Sequence, residues 1–461
     1  MTVEPQTIVP IPVWQKRMIN RPDDDCKTVI CQRIGDQLPA WRERVDRLLK
    51  EKGSFKVCDV TVEQIYRGIR DVQIQVSDIS YVDPVEGIRL RGYTIPEVLE
   101  KLPKAAGSDY PLAGGLYYLL LVNEMPTLDD ALLVEDEWKK HMEVPGYVFD
   151  VLNAMPADSH PMALFSQAIL AMQHESVFSR LYSQGLAKTD YWEGYLEDSM
   201  SLTAKLPSIA AYIYNKKFRD GNFIPPDPML DWSANFAHMI GKGDDHEYQE
   251  LCRLFFVLHS DHEGANVSAH ASHLVASALS DVYYACSAGM NGLAGPLHGL
   301  ANQECLRWLL SVKADFPELP SRETLQVYLQ QTLDAGVVIP GYGHAVLRVT
   351  DPRFTAQLEF GKKYMEEDEL FQLVNLVYDV LPPILSKFGK VKNPWPNVDA
   401  INGTMQYHYG VREFDIYTVL FGVSRNLGLS AHAIWARALG KPIERPKSLT
   451  TKMLEEMIEK D

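Results

Sequence analysis

The chain has 461 residues, 46% of them hydrophobic, and a formal net charge of −16 at pH 7. That length and apolar content suffice for a large core in two or three domains, while the excess of acid argues against a general nucleic-acid binder, so any anionic ligand must be held by a local basic pocket. No run reaches the roughly 20 apolar residues of a membrane span: even Gly115 to Val122 is followed at once by Asn123 and Glu124.

Taken in chain order, the first segment carries Asp23, Asp24 and Asp25 and four prolines within twenty-two residues. It resembles neither an apolar signal core nor an Arg-rich, acid-poor transit peptide, and the final I-E-K-D is not a peroxisomal ending, so a cytoplasmic location is expected. Short strand signals at Val57–Val60 and Ile88–Arg91, with G-S and P-V-E-G as turns, predict a small sheet or hairpin. From there helical periodicity dominates, over Pro161–Tyr182, Glu247–His259, Ala269–Met290 and Glu367–Phe388. The fold class is therefore all-α. Proline and glycine gather at 219–227, 292–299, 339–343 and 389–397, which reads as tight connections in one body rather than linkers. There is no internal repeat and no low-complexity segment. The six cysteines, Cys26, Cys31, Cys58, Cys252, Cys286 and Cys305, form no C-x-x-C pair and are expected to be reduced and mostly buried.

Three of the connections each display a titratable group. His298 lies in L-A-G-P-L-H-G-L-A-N-Q-E-C, enclosed by residues that cost about 1 kcal/mol (Gly) or about 3 kcal/mol (Pro) inside a helix, so one helix ends and another begins there. His344 lies in P-G-Y-G-H-A-V-L-R, and Asp399 in N-P-W-P-N-V-D-A. Two imidazoles and one carboxylate make an acid and base set. A rival reading takes His259, His262, His270 and His273 as a doubled H-x-x-H zinc site. Gly264 and Asn266 interrupt that segment and H-E-x-x-H is absent, so no metal is expected. A non-catalytic scaffold is a third reading, against which the intact histidine and aspartate set argues.

The motifs G-P-L-H-G-L-A-N-Q-E, P-G-Y-G-H-A-V-L-R-x-T-D-P-R, N-P-W-P-N-V-D-A, L-F-G-V-S-R-N-L-G and P-I-E-R-P-K-S, with V-D-P-V-E-G-I-R-L-R-G-Y-T-I-P-E and H-S-D-H-E-G-A-N-V-S-A-H, together resemble citrate synthase of the eukaryotic, mitochondrial type, from about Leu38 to Ser448. The resemblance implies a helical homodimer with active sites shared between subunits. It implies a large domain over 1–298, a small domain over 299–410 that closes on the substrates, and a segment 411–461 that returns to the large domain and reaches the partner. The reaction it implies joins the α-carbon of an acyl-CoA to the ketone of oxaloacetate and then hydrolyses the thioester. It implies no tightly bound cofactor, coenzyme A being part of a substrate.

By position in these motifs, Asp399 matches the base, His298 the neutral imidazole that donates to the enolate oxygen, and His344 the group that protonates the ketone oxygen. His262 matches an oxaloacetate-binding histidine. Arg353 and Arg425, with Arg445 of the partner subunit, match the arginines on the substrate carboxylates, where a planar fork donates two hydrogen bonds. Pro340, Gly341 and Gly343 match the loop approached by adenine. Arg348, Lys392 and Arg180 of the partner subunit match phosphate-binding positions, and Lys50 stands where the family often has arginine.

The chain also departs from the pattern. Ile401 and Asn402 stand where His-Ser is usual after N-V-D-A, Ala265 replaces a usual glycine, and Val337 replaces a usual arginine. These changes suggest an acyl pocket retuned to a longer acyl-CoA, giving a 2-alkylcitrate as in methylcitrate synthases or the alkylcitrate synthases of fungal secondary metabolism. Acetyl-CoA, for an ordinary citrate synthase, and propionyl-CoA are the alternatives.

Overall fold

The structure, a computed structural model, describes residues 26–344, 346–388 and 393–460. The acidic, proline-containing start and Lys392 lie outside them. The 3.6-residue periodicity is realised in helices, of which those that build the core and the site are α1 (Cys26–Lys52), α2 (Ala113–Val122), α3 (Tyr191–Phe218), α4 (His246–Leu258), α5 (Val267–Ser277), α6 (Val282–Leu293), α7 (Ala301–Asp315), α8 (Arg322–Asp334), α9 (Pro352–Tyr364), α10 (Glu369–Phe388), α11 (Asp399–His408) and α12 (Tyr417–Ala438). The all-α expectation holds. Among the described residues the only sheet is antiparallel, in the order β1 (Ser80–Asp83), β2 (Gly87–Leu90) and β3 (Tyr93–Thr94).

That sheet corrects part of the sequence reading. The Ile88 segment is a strand, but its partner is β1, with Ser80 opposite Leu90 and Asp83 opposite Gly87. Asp83 Oδ1 accepts from the N–H groups of Val85 and Glu86, both at 2.8 Å, and Gly87 closes the turn at φ +80°, a conformation glycine adopts without penalty. Val57–Val60 is irregular instead, with Val57 70% exposed. Among the described residues it pairs with no strand, and strand propensity alone does not make one.

Two predicted helices are each broken by a side-chain cap. Pro161–Tyr182 becomes helices Pro161–Ala171 and Val177–Ser183 around a 3-10 turn, with Ser176 Oγ accepting from the Ser179 N–H at 3.0 Å. Ala269–Met290 becomes α5 and α6. Leu279 has a φ of +63°, and Asp281 caps α6 by accepting from the N–H groups of Tyr283 and Tyr284.

The core centres on α12, every residue of which is buried, as expected of a helix enclosed on all sides. It packs against α2, α3, α4, α5 and α6, while α7, α8, α9, α10 and α11 pack chiefly on one another and α9 also meets α4. No helix among the described residues is long and apolar enough to cross a membrane. All six cysteines lie among the described residues, and all but Cys58 are buried.

Candidate active site

The predicted break around His298 falls between α6 and α7. Gly299 returns its N–H to the carbonyl of Leu293 at 3.0 Å, so closely that a Cβ would lie 2.4 Å from that oxygen. The turn presents His298 to the first turn of α5, where its Nε2 lies 3.3 Å from the Ser268 N and 3.0 Å from the Ser268 Oγ. A backbone N–H can only donate. His298 Nε2 is therefore an acceptor, and the neutral ring carries its proton on Nδ1. Burial, helped by the nearby Arg425 charge, pushes its pKa down to about 4.

His344 has the opposite tautomer. Its Nδ1 accepts from the backbone N–H groups of Val346 and Leu347, both at 3.0 Å, leaving the proton on Nε2. Burial and then the Arg353 charge bring its pKa to about 4. The His262 ring stands edge-on to His344 with centroids 5.5 Å apart. Burial, Arg353, His344 and Arg425 hold it well below the usual imidazole range. At neutral pH all three rings are uncharged.

Asp399 opens α11, and the loop before it is tied to the His344 loop. Asn397 is the tie: its N–H donates to Gly341 O at 2.9 Å, its Nδ2 donates to Gly343 O at 3.1 Å, and its Oδ1 accepts from the Asp399 N–H at 3.0 Å. Gly343 N–H donates in turn to Trp395 O at 3.2 Å. Gly341 has a φ of +81°, and a Cβ there would meet Ala400 Cα and Cys305 Sγ, each at 2.8 Å. In this chain, then, close packing between the loop and its own helices already requires that glycine. Pro340 is bonded from the other side, its carbonyl accepting from Cys305 Sγ at 3.5 Å. The Asp399 carboxyl is raised to about 6, burial being the leading cause, with Arg353 opposing it, Asp351 adding to it and Arg425 opposing it.

The two arginines differ. Arg353, in the first turn of α9, is paired with Asp351, the N-cap of that helix, through Nε–Oδ1 at 3.1 Å and Nη2–Oδ2 at 2.7 Å. Arg425 is 1% exposed on α12; its Nε donates to the carbonyl of His259 at 3.1 Å, and its Cζ lies 4.7 Å from the centre of the Phe421 ring. Among the described residues it has no ion pair with a carboxylate. Burial pulls its pKa down to about 10. A buried cation in that state is costly until an anion joins it.

His262, His298, His344 and Asp399 thus each feel the charge of Arg353, Arg425 or both, which gathers them around one site. Of the other sequence candidates, Arg348 reaches His344 through its charge, whereas Arg445, Arg180 and Lys50 do not join the site within the chain. Arg445 is exposed beyond α12 and makes no hydrogen bond or ion pair among the described residues; Arg180, on Val177–Ser183, and Lys50, near the end of α1, are exposed as well. Arg348 is exposed, with Nη1 donating to the carbonyls of Val346 and Leu347 at 2.7 and 2.8 Å. The departures from the family pattern do not share one environment, since Ile401 and Asn402 are fully buried in α11 while Ala265 and Val337 are exposed.

The four histidines of the zinc reading serve separate contacts. His259 Nδ1 bonds the carbonyl of Phe255 at 2.9 Å, His262 faces His344, and His270 and His273 turn to Glu444 at 2.8 and 3.6 Å. Among the described residues no group of three or more His, Cys, Asp or Glu is placed to hold a metal ion. Sequence reasoning missed Asp351, Asn397 and Ser268 as the partners that set these orientations. Asp351 alone had a signal, as the capping residue of D-P-R before a proline that starts a helix.

The family described as "Citrate synthase, C-terminal domain" matches residues 68–447. The chain is similar to "Probable citrate synthase, mitochondrial" of Glossina morsitans morsitans, 52% identical over 428 residues that span 93% of this chain and 92% of that one. It is 49% identical over 419 residues to "Citrate synthase, mitochondrial" of Xiphias gladius, covering 91% and 89% of the two. Among solved structures it is similar to citrate synthase from Pyrobaculum aerophilum, with a TM-score of 0.73 and 27% identity over 84% of this chain and 92% of that one. The expected cytoplasmic location is overturned by the two curated relatives, both named as mitochondrial. It rested on a first segment that lies outside the described residues. A match of this identity over most of its length shows that the chain belongs to the citrate synthase family.

Proposed function

We propose that the protein condenses acetyl-CoA with oxaloacetate and hydrolyses the resulting thioester, releasing citrate and coenzyme A. The observation that carries this reading is that Asp399, with its raised carboxyl, and histidines held neutral in opposite tautomers gather about Arg353 and Arg425, the latter having no carboxylate partner among the described residues. A thioester α-proton is very weakly acidic, so Asp399 removes it only as the developing enolate oxygen gains a hydrogen bond, which His298 Nδ1–H supplies. The enolate carbon then attacks the ketone of oxaloacetate, and His344 Nε2–H gives its proton to the ketone oxygen as the carbon–carbon bond forms. His262 orients that carbonyl. Arg425 and Arg353 receive the carboxylates, Arg353 sharing its fork with Asp351. Water finally attacks the thioester carbon and the thiol of coenzyme A leaves.

Several finer points belong to the same proposal. Residues 299–410 form a domain that closes on the substrates and excludes water during condensation. The protein acts as a homodimer in which Arg445 and Arg180, both exposed within one chain, serve the partner's site. Pro340, Gly341, Gly343, Arg348 and Lys392 receive coenzyme A. The names of the relatives support a mitochondrial location, and they favour acetyl-CoA over the longer acyl chain that the departures at Ile401 and Asn402 suggested. Burial of both residues in α11 also favours a packing explanation of those changes.

The test is release of free thiol by the purified protein with oxaloacetate and acetyl-, propionyl-, hexanoyl- or decanoyl-CoA, with product masses checked. A maximum at acetyl-CoA is expected. A maximum at a longer chain overturns the acetyl reading, and no release with any of them overturns the assigned reaction.

A further inference from the structure

The loop that carries His262 is docked onto α12 by three successive contacts. Arg425 Nε donates to the carbonyl of His259 at 3.1 Å, the Gly428 N–H donates to the carbonyl of Ser260 at 3.0 Å, and His432 Nε2 lies 2.8 Å from Asp261 Oδ2. Positions 425, 428 and 432 follow one another by three and four residues, so they share one face of the helix, and each holds the next residue of the loop. Gly428 has no room for a side chain: a Cβ there would lie 2.5 Å from Asp261 Oδ1 and 2.6 Å from Asp261 Cβ.

Asp261 is 1% exposed and is anchored a second time by Ser80 Oγ, which donates to Oδ2 at 2.5 Å and accepts from the Glu263 N–H at 2.8 Å. Both neighbours of His262 are thereby fixed, and Glu263 is held at a φ of +58°, where residues other than glycine are uncommon. A carboxylate only accepts, so His432 Nε2 is the donor to Asp261. The other ring nitrogen, Nδ1, lies 2.8 Å from Ser77 Oγ. Through Asp261 and Glu263, Ser77, Ser80 and His432 act on the position of the His262 ring.

We infer that His432 is a positioning residue for the reaction, holding Asp261 so that the adjoining His262 meets oxaloacetate. The inference rests on the reading of His262 as an oxaloacetate ligand. Releasing Asp261 leaves a buried carboxylate short of a partner and frees the loop, and displacement of a binding group by about 1 Å is enough to lower turnover by orders of magnitude.

Two variants divide the imidazole between them. The amide nitrogen of glutamine reaches about as far as Nε2, whereas that of asparagine reaches only as far as Nδ1. H432Q keeps a donor for Asp261 and loses the Ser77 contact; H432N does the reverse. For H432N the KM for oxaloacetate is expected to rise about tenfold, with the KM for acetyl-CoA held within about twofold and faster amide hydrogen exchange across 259–263. H432Q is expected to rescue both readouts.

If H432N and H432Q exchange alike across 259–263, or raise both KM values equally, the positioning role is refuted. If the unaltered protein does not consume oxaloacetate, the reaction assigned above fails, while the exchange comparison still decides whether His432 anchors the loop. Should H432N not fold, S80A removes the second anchor of Asp261 and is expected to loosen the same segment; unchanged exchange there also refutes the inference.

Discussion

Replacing Asp399 by asparagine keeps the shape of the side chain and removes its charge, which separates what the carboxylate does for catalysis from what it costs the fold. In the folded protein the carboxyl titrates at about 6, against an ordinary 3.8, chiefly because burial disfavours the charged form. Since the folded value lies above the unfolded one, the group costs nothing below about pH 4, where both states are protonated. The penalty grows as the pH passes from about 4 to about 6 and is constant above that. A difference of roughly two pH units corresponds to about 3 kcal/mol. D399N has no such penalty at any pH. Unfolding by urea should therefore find it more stable than the unaltered protein at pH 8, by up to about 3 kcal/mol, with the gap closing towards pH 4. Thiol release should meanwhile fall by about 10² to 10⁴-fold. The same titration predicts that kcat/KM of the unaltered enzyme loses activity along one acid limb with an apparent pKa near 6, because His298 and His344 gain protons only at about 4. Equal stability at pH 8, a gap that ignores pH, or a limb near 4 would refute the argument.

Other expectations follow from single contacts. Nitrogen-15 spectra at pH 7 should show His298 protonated on Nδ1 and His344 on Nε2, both neutral, since each opposite nitrogen accepts a backbone N–H; a charged or reversed ring would break the assignment of donors. R425M should raise the KM for oxaloacetate by about 100-fold without lowering the urea midpoint, because it removes a buried cation that has no carboxylate partner among the described residues. A lowered midpoint would mean that the guanidinium serves the fold. G428A should destabilise by about 1–3 kcal/mol even though alanine favours helix by about 1 kcal/mol, as its Cβ would enter the space of Asp261. A gain in stability there would show that the loop can withdraw from α12 at little cost.

Periodicity was enough to read the helical class, because α4 and α10 repeat apolar residues at helical intervals with no interruption that their neighbours enforce. It failed where long-range contacts choose the ends. The two breaks it missed meet in space: Asp281 caps α6 through Oδ1, while its Oδ2 accepts from Gln173 Nε2 at 2.7 Å and Ser179 Oγ at 2.8 Å, both from the other broken helix. Neither interruption has a local proline to announce it, so each reads as helix when taken alone.

The site divides in a similar way. Glycine and proline marked the loops that carry His298, His344 and Asp399, because helix breakers force the chain to turn whatever lies around it. The protonation states within those loops were not legible. They depend on which backbone N–H groups the fold brings to each ring, as with Ser268 from α5, thirty residues before His298. The change to Ile401 and Asn402 illustrates the limit from the other side. Two residues after the base it looked like a remodelled acyl pocket, yet both side chains are fully buried in α11, which packs against α7. A motif position specifies nearness along the chain, and only packing specifies which face of the helix the substrate would meet.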